Sequence, residues 1–280
     1  MVHFARSGDS PESLAAYRLV RRTRPDVRHL VITCNGSGAL RKAAEADGTA
    51  LVLVLPPETN DRSLAMTSSF TSMALCALGL GWLGSLEDLR LMMGAVCAAA
   101  DRTIGELGSL LMRLGELDFT RAFYLGSDGL QGAMDEGALK MLEMTAGQII
   151  TSSNSYLGAR HGPQVFIDGR CLVVACLASE PRVRRYELDL LRELRRKKMG
   201  KEVLAVTATA DPAARELADT VLELAPSGGK LADELRVLSD VVACQLLAFC
   251  KSRACGLEPD APSPGGIISR VVQGVTIYDA

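Results

Sequence analysis

The chain has 280 residues, of which 48% are hydrophobic and 4% aromatic, with 31 basic and 33 acidic side chains and a formal net charge of −2. That length holds one large or two modest domains with a substantial core, and the balance suits an Ala, Leu and Val interior rather than an aromatic-rich β-sandwich. The charge is near zero and interspersed, so nothing points to nucleic acid or an anionic membrane as partner. The densest basic run, Arg192–Lys201, contains Glu193 and reads as a solvated helix face. None of the eight cysteines forms a CxxC pair, and most lie in apolar runs. They read as buried free thiols, with neither a metal site nor a disulfide framework. Met1–Ser10 has no apolar signal core, and no apolar stretch is long and uninterrupted enough to span a bilayer. A soluble, cytoplasmic protein is expected.

Along the chain, short apolar runs alternate with helical patterns. A strand at Met1–Phe4 leads into a helix at Ser10–Arg22, then come strands at His29–Cys34 and Leu51–Leu55 and a helix at Ser68–Leu80. One long helix is predicted over Leu86–Leu114, followed by a strand at Arg121–Leu125 and a helix at Gly132–Thr145. The remainder reads as strands at Cys171–Leu177, Glu202–Val206 and Thr220–Leu224, with helices at Arg182–Lys198 and Ala232–Lys251. Continuous apolar strands ending in Gly, Asn, Pro or Ser are those of a parallel sheet covered on both faces, so the fold class is α/β. The plan occurs twice, with a Gly/Ser loop after Met1–Phe4 and another, Gly126-Ser127-Asp128-Gly129, after Arg121–Leu125. The boundary is set at 117/118. Glu258–Gly266 is a Pro/Gly-rich tether to an apolar tail, Ile267–Tyr278.

Four segments carry candidate chemistry. In Ala5–Ser13 (ARSGDSPES) a strand end feeds Ser7, Ser10 and Ser13 into a helix start, with Ser10 at the N-cap and Pro11 at the first helical position. Unpaired N–H groups and hydroxyls there can close around a phosphate, although the same string is also a routine helix cap. Thr67, Ser68 and Ser69 open the next long helix with a second hydroxyl cluster. In Gly132–Thr145, Glu136, Lys140 and Glu143 share one helical face; they are either a surface ion pair or a buried functional group. Ala133, Ala138, Leu139 and Leu142 make that helix look buried. His161 lies in the loop Gly158-Ala159-Arg160-His161-Gly162-Pro163, where a proton-exchanging side chain meets glycines that permit close approach, although a lone loop histidine is more often incidental.

Taken in order, ARSGDSPES, LGSDGLQGAMDEGALKMLEMTAG and ARHGPQVFID resemble the SIS (sugar isomerase) family of phosphosugar isomerases and binding domains. Pro56–Arg62, Ala65–Ser69, Tyr186–Arg195 and Arg270–Ile277 extend the likeness over nearly the whole chain. They are most similar to the bacterial galactosamine-6-phosphate deaminase/isomerase group, also called tagatose-6-phosphate ketose/aldose isomerases. The resemblance implies two SIS domains, each a parallel sheet between helices. The first, 1–117, is partial and lacks the family's opening strand and its Gly-Thr-Ser turn; the second, 118–280, includes the tail. It implies that Ser7, Ser10 and Thr67 bind the sugar phosphate, with Ser13, Ser68, Ser69 and Ser127 grouped beside them. Glu143 matches the base that moves a proton between C1 and C2, accompanied by Glu136 and Lys140. His161 matches the residue that helps open the sugar ring, donated across a homodimer. Gln273 stands where related synthases carry a lysine, so a Schiff base is unsupported; separately, the implied chemistry calls for no cofactor and no metal. The implied activity is that of an aldose-ketose isomerase/deaminase on a phosphorylated sugar or amino sugar, a hexosamine or ketohexose 6-phosphate; the alternative is a non-catalytic phosphosugar-binding protein or an inactive truncated form.

Overall fold

The computed structural model describes residues 1–225, 231–271 and 274–278. The chain forms two compact units, Met1–Gly81 with Ser263–Ala280, and Trp82–Pro262.

The first unit begins β1 (Val2–Ala5), α1 (Pro11–Thr23), β2 (Leu30–Thr33), α2 (Ala39–Asp47) and β3 (Leu51–Val54), and then α3 (Ser68–Gly81). Its three strands are parallel in the order β1-β2-β3. Alternation along β2 sends Val31 to one face, with Ala5, Tyr17, Leu40 and Ala44, and Ile32 to the other, with Cys34, Leu55 and Met73. β1 also places His3 over β2, where its Nε2 lies 2.8 Å from His29 Nδ1.

The second unit comprises α4 (Leu86–Gly105), α5 (Gly108–Glu116), β4 (Arg121–Gly126), α6 (Gly129–Met144), β5 (Ile150–Ser155) and α7 (Tyr156–Ala159). It continues with β6 (Cys171–Cys176), α8 (Pro181–Lys197), β7 (Glu202–Thr207), α9 (Pro212–Leu217), β8 (Thr220–Glu223) and α10 (Asp233–Ala254). Five parallel strands run in the order β5-β4-β6-β7-β8. All six residues of β6 are buried, as its unbroken apolar run requires at the centre of a sheet covered on both faces. The α/β class and the two parallel sheets are as expected.

Several details differ from expectation. The long helix over Leu86–Leu114 is two helices, broken at Glu106–Leu107 between Gly105 and Gly108, two residues that weaken a helix interior. Both helices, placed in the first domain by the sequence, pack against α10 of the second unit. Leu139 and Leu142 are 43% and 40% exposed, so α6 is buried on one face only. The repeat is also offset. β1-α1-β2-α2-β3 has its counterpart in β6-α8-β7-α9-β8, the same element order with the strands adjacent in the same sequence. The counterpart of the loop at Ser7–Ser13 is therefore the turn after β6, not the Gly126–Gly129 loop.

Candidate active site

The loop from Ala5 to Ser13 stands at the carboxyl end of β1, where ligands of parallel sheets are bound. It is stitched to the turn before α2. Asn35 Nδ2 donates to the Ser7 carbonyl at 2.7 Å, the Leu40 N–H donates to the Gly8 carbonyl at 2.8 Å, and the Ala39 N–H donates to Asp9 Oδ1 at 2.9 Å. Gly8 has φ +65°, and a Cβ on Gly38 would come within 2.5 Å of the Ser7 carbonyl oxygen. Both positions need glycine for the loop to keep this shape. Ser10 is the N-cap of α1, yet its side chain makes no capping hydrogen bond. In the second unit the equivalent helix start is closed by its own anion: Glu180, just before Pro181, accepts from the Val183 N–H at 2.6 Å. Of the two equivalent helix starts, the one bearing Ser7, Ser10 and Ser13 has no side-chain capping hydrogen bond, although Glu12 lies in its first turn, and its N–H groups are thereby suited to an external anion.

The second predicted cluster behaves differently. Asp61 accepts from the N–H groups of Thr67, Ser68 and Ser69 at 2.9, 3.0 and 3.0 Å. It also accepts from their hydroxyls at 2.8, 2.6 and 2.5 Å. Burial alone raises the Asp61 pKa, but these donors outweigh it and hold the carboxyl well below the usual carboxylate range. The hydroxyl hydrogens of Thr67, Ser68 and Ser69 thus point at a carboxylate already in place. Ser69, expected at the ligand, is fully buried and serves Asp61 alone, so what Thr67 and Ser68 present to a ligand is oxygen lone pairs, suited to hydroxyl donors rather than to a phosphate.

On α6 the expected face is present. Lys140 is 1% exposed, and its Nζ lies 2.5 Å from Glu143 Oε2 and 3.2 Å from Glu136 Oε1. An unpaired ammonium is rarely tolerated at such burial, and two carboxylates compensate it. Burial raises the Glu136 pKa against the pull of Lys140. Glu143 keeps about a quarter of its side chain exposed. Gly137, inside the same motif, lets α10 approach: a Cβ there would stand 2.8 Å from Cys244 Sγ.

His161 is exposed, in the turn between α7 and Pro163, with its N–H bonded to the Gly158 carbonyl at 3.0 Å and Gly162 at φ +130° behind it. Ser127 stands near Glu187, a fully buried carboxylate that accepts from the Ala178 N–H at 2.8 Å and whose pKa is raised by burial. Gln273 lies outside the described residues. Sequence reasoning missed Asp61, Arg6 and Arg270. Arg6 Nη1 donates to the carbonyls of Ser63 and Leu64 at 3.0 and 3.1 Å, and Arg270 Nε donates to the Asp61 carbonyl at 2.7 Å. The partners of Arg6 and Arg270 are distant in sequence, so spacing held no signal for them; Asp61 lies six to eight residues from its donors, but no regular spacing marks it as their acceptor.

A parallel α/β fold with a hydroxyl-bearing loop at a helix start of the first unit, and a buried lysine between two carboxylates on a helix of the second, suits the class of phosphosugar-handling proteins. No family model matches the chain. The D-galactosamine-6-phosphate deaminase AgaS of Escherichia coli is 38% identical over 279 residues, covering 99% of this chain and 71% of that protein. A Streptomyces coelicolor protein assigned to the same group is 42% identical over 284 residues, with coverage of 99% and 71%. The crystal structure of tagatose-6-phosphate ketose/aldose isomerase from Escherichia coli matches with a TM-score of 0.87 at 35% identity, over 99% of this chain and 71% of that one. The chain belongs to the AgaS group of the SIS family and is an enzyme of the sugar-phosphate isomerase/deaminase class.

Proposed function

We propose that the chain converts a 2-amino-2-deoxyhexose 6-phosphate, galactosamine 6-phosphate, and water into tagatose 6-phosphate and ammonia. The observation that carries this reading is the carboxylate of Glu143 held 2.5 Å from buried Lys140 on α6. A base so anchored keeps its position while it takes a proton from one carbon and returns it to the next. In the open-chain sugar, Glu143 removes the C2 proton, the aldehyde oxygen takes up a proton, and a C1–C2 enolamine forms. Return of the proton to C1 leaves an imine at C2. Water adds to that imine, the C–N bond breaks, and the ketose and ammonia depart. The balance consumes no oxidant or reductant.

Ser7 and Ser10 are assigned the phosphate, because the α1 N-terminus lacks a capping side chain. Thr67 and Ser68, with their hydroxyl hydrogens on Asp61, are assigned sugar hydroxyls, while the fully buried Ser69 holds Asp61 in place. His161 is assigned to ring opening in a partner copy of a homodimer, a role that its exposure permits. The test is ammonia release from galactosamine 6-phosphate and from glucosamine 6-phosphate. Glu143→Gln is expected to slow release by roughly 10²–10⁴-fold while calorimetric binding of the sugar phosphate persists. Wild-type turnover by that variant would sink the assignment, and the ratio of the two substrates reports the sugar configuration.

A further inference from the structure

The first unit contains a hydrogen-bonded strap that neither the candidate base nor the hydroxyl clusters account for. The segment after the Pro/Gly tether returns to this unit, and Arg270 is its anchor. Arg270 Nε donates to the Asp61 carbonyl at 2.7 Å, and its Nη2 bonds Asn60 Oδ1. The Arg270 carbonyl in turn accepts from Arg6 Nη2 at 2.7 Å. Arg6 immediately precedes Ser7, and its other nitrogen holds the carbonyls of Ser63 and Leu64. One arginine fork therefore grips the loop that carries Asp61, and a second fork ties that loop and the tail to the Ser7 loop. Asp61 is the hub, since its carboxylate orients Thr67, Ser68 and Ser69 while its own carbonyl is held by the tail.

We infer that Arg270 is a positioning residue for sugar-phosphate binding: it fixes Asn60 and Asp61, and through Arg6 it sets the Ser7 loop against them. It touches no reacting atom, so its contribution falls on affinity rather than on the chemical step. A planar fork can make both bonds at once, whereas a lysine ammonium can replace only one of them in good geometry. This inference rests on the reading of Ser7, Ser10 and Thr67 as ligand groups.

The experiment compares wild type, Arg270→Ala, Arg270→Lys and Asn60→Ala by calorimetric titration with galactosamine 6-phosphate and with inorganic phosphate, together with kcat and KM for ammonia release. Loss of a charge-assisted anchor predicts about tenfold weaker binding of both probes and a matching rise in KM for Arg270→Ala. Little change in kcat is expected, with partial recovery in Arg270→Lys. Binding by Arg270→Ala within twofold of wild type overturns the inference, as does a fall in kcat at constant KM. If Arg270→Ala does not fold, Arg270→Lys and Asn60→Ala give the same readout with one bond removed, and wild-type affinity in both overturns it. Failure of wild type to turn over the amino sugar, with phosphate binding still dependent on Arg270, removes the substrate reading and leaves the strap standing. Failure of wild type to bind either probe removes both.

Discussion

Asp61 gathers six hydrogen bonds on one carboxylate, three to each oxygen, and every donor comes from Thr67, Ser68 or Ser69. Substitution by asparagine turns one oxygen into an NH2 group that faces three donors. Asp61→Asn is expected to lower stability by about 2–3 kcal/mol in denaturant titration, since each hydrogen bond to a charged acceptor contributes roughly 1.5–3 kcal/mol. An unchanged midpoint would mean that this cluster contributes no net stability. The same arrangement explains why a serine-rich helix start is a poor guide to phosphate binding. Only the fold shows whether an acceptor already occupies the donors.

At the scale of elements, α10 and α6 lie in close contact, with most of α10 buried along its length. Gly137 and Gly115 are where α10 comes nearest: a Cβ on Gly137 would meet Cys244 Sγ at 2.8 Å, and one on Gly115 would meet the backbone of Cys250 at 2.9 Å. Gly137→Ala is expected to destabilise the protein by about 1–3 kcal/mol through overpacking. Because Gly137 lies between Glu136 and Lys140, ammonia release should fall as well; thermal denaturation and the ammonia assay test both. The element most hidden from sequence reading was β5. Its residues, Ile-Thr-Ser-Ser-Asn-Ser, are polar and half-exposed because it is an edge strand paired only with β4. Edge strands escape the apolar pattern by which central strands are recognised.

At the scale of the whole chain, the two units carry different acid-sensitive groups. In the first, His3 and His29 are buried against each other and against Tyr17, whose hydroxyl donates to Asp47 Oδ2 at 2.6 Å. Arg21, paired with Asp47, and the Met1 amino group complete the charged surroundings. Burial is the main cause that lowers both histidine pKa values. The unfolded chain therefore binds protons more readily than the folded one as pH drops below about 6.5, and stability that is full above that pH is lost toward each folded pKa. The third histidine, His161, is exposed in the second unit. Amide hydrogen exchange at pH 7.5 and pH 5.5 should show protection falling first in β1, β2 and α1. Equal losses in β4 and β6 would contradict this assignment, and His3→Phe should blunt the effect.

The central strands, the main helices, the α/β class and the ordered motifs of a sugar isomerase were legible in the residues, because apolar periodicity and local helix-start chemistry are properties of neighbouring positions. The shared face of Glu136, Lys140 and Glu143 followed from helical spacing alone. What spacing could not provide was which donors were already taken. Asp61 and Glu180 supply their anions from within a few residues of the groups they satisfy, yet only folded geometry places each carboxylate on its donors. Arg270 reaches Asp61 across 209 positions. The sequence determined which elements form and which residues can do chemistry. The tertiary structure decided which of those residues are free to do it, since a hydrogen-bond donor serves a ligand only when no internal acceptor has claimed it.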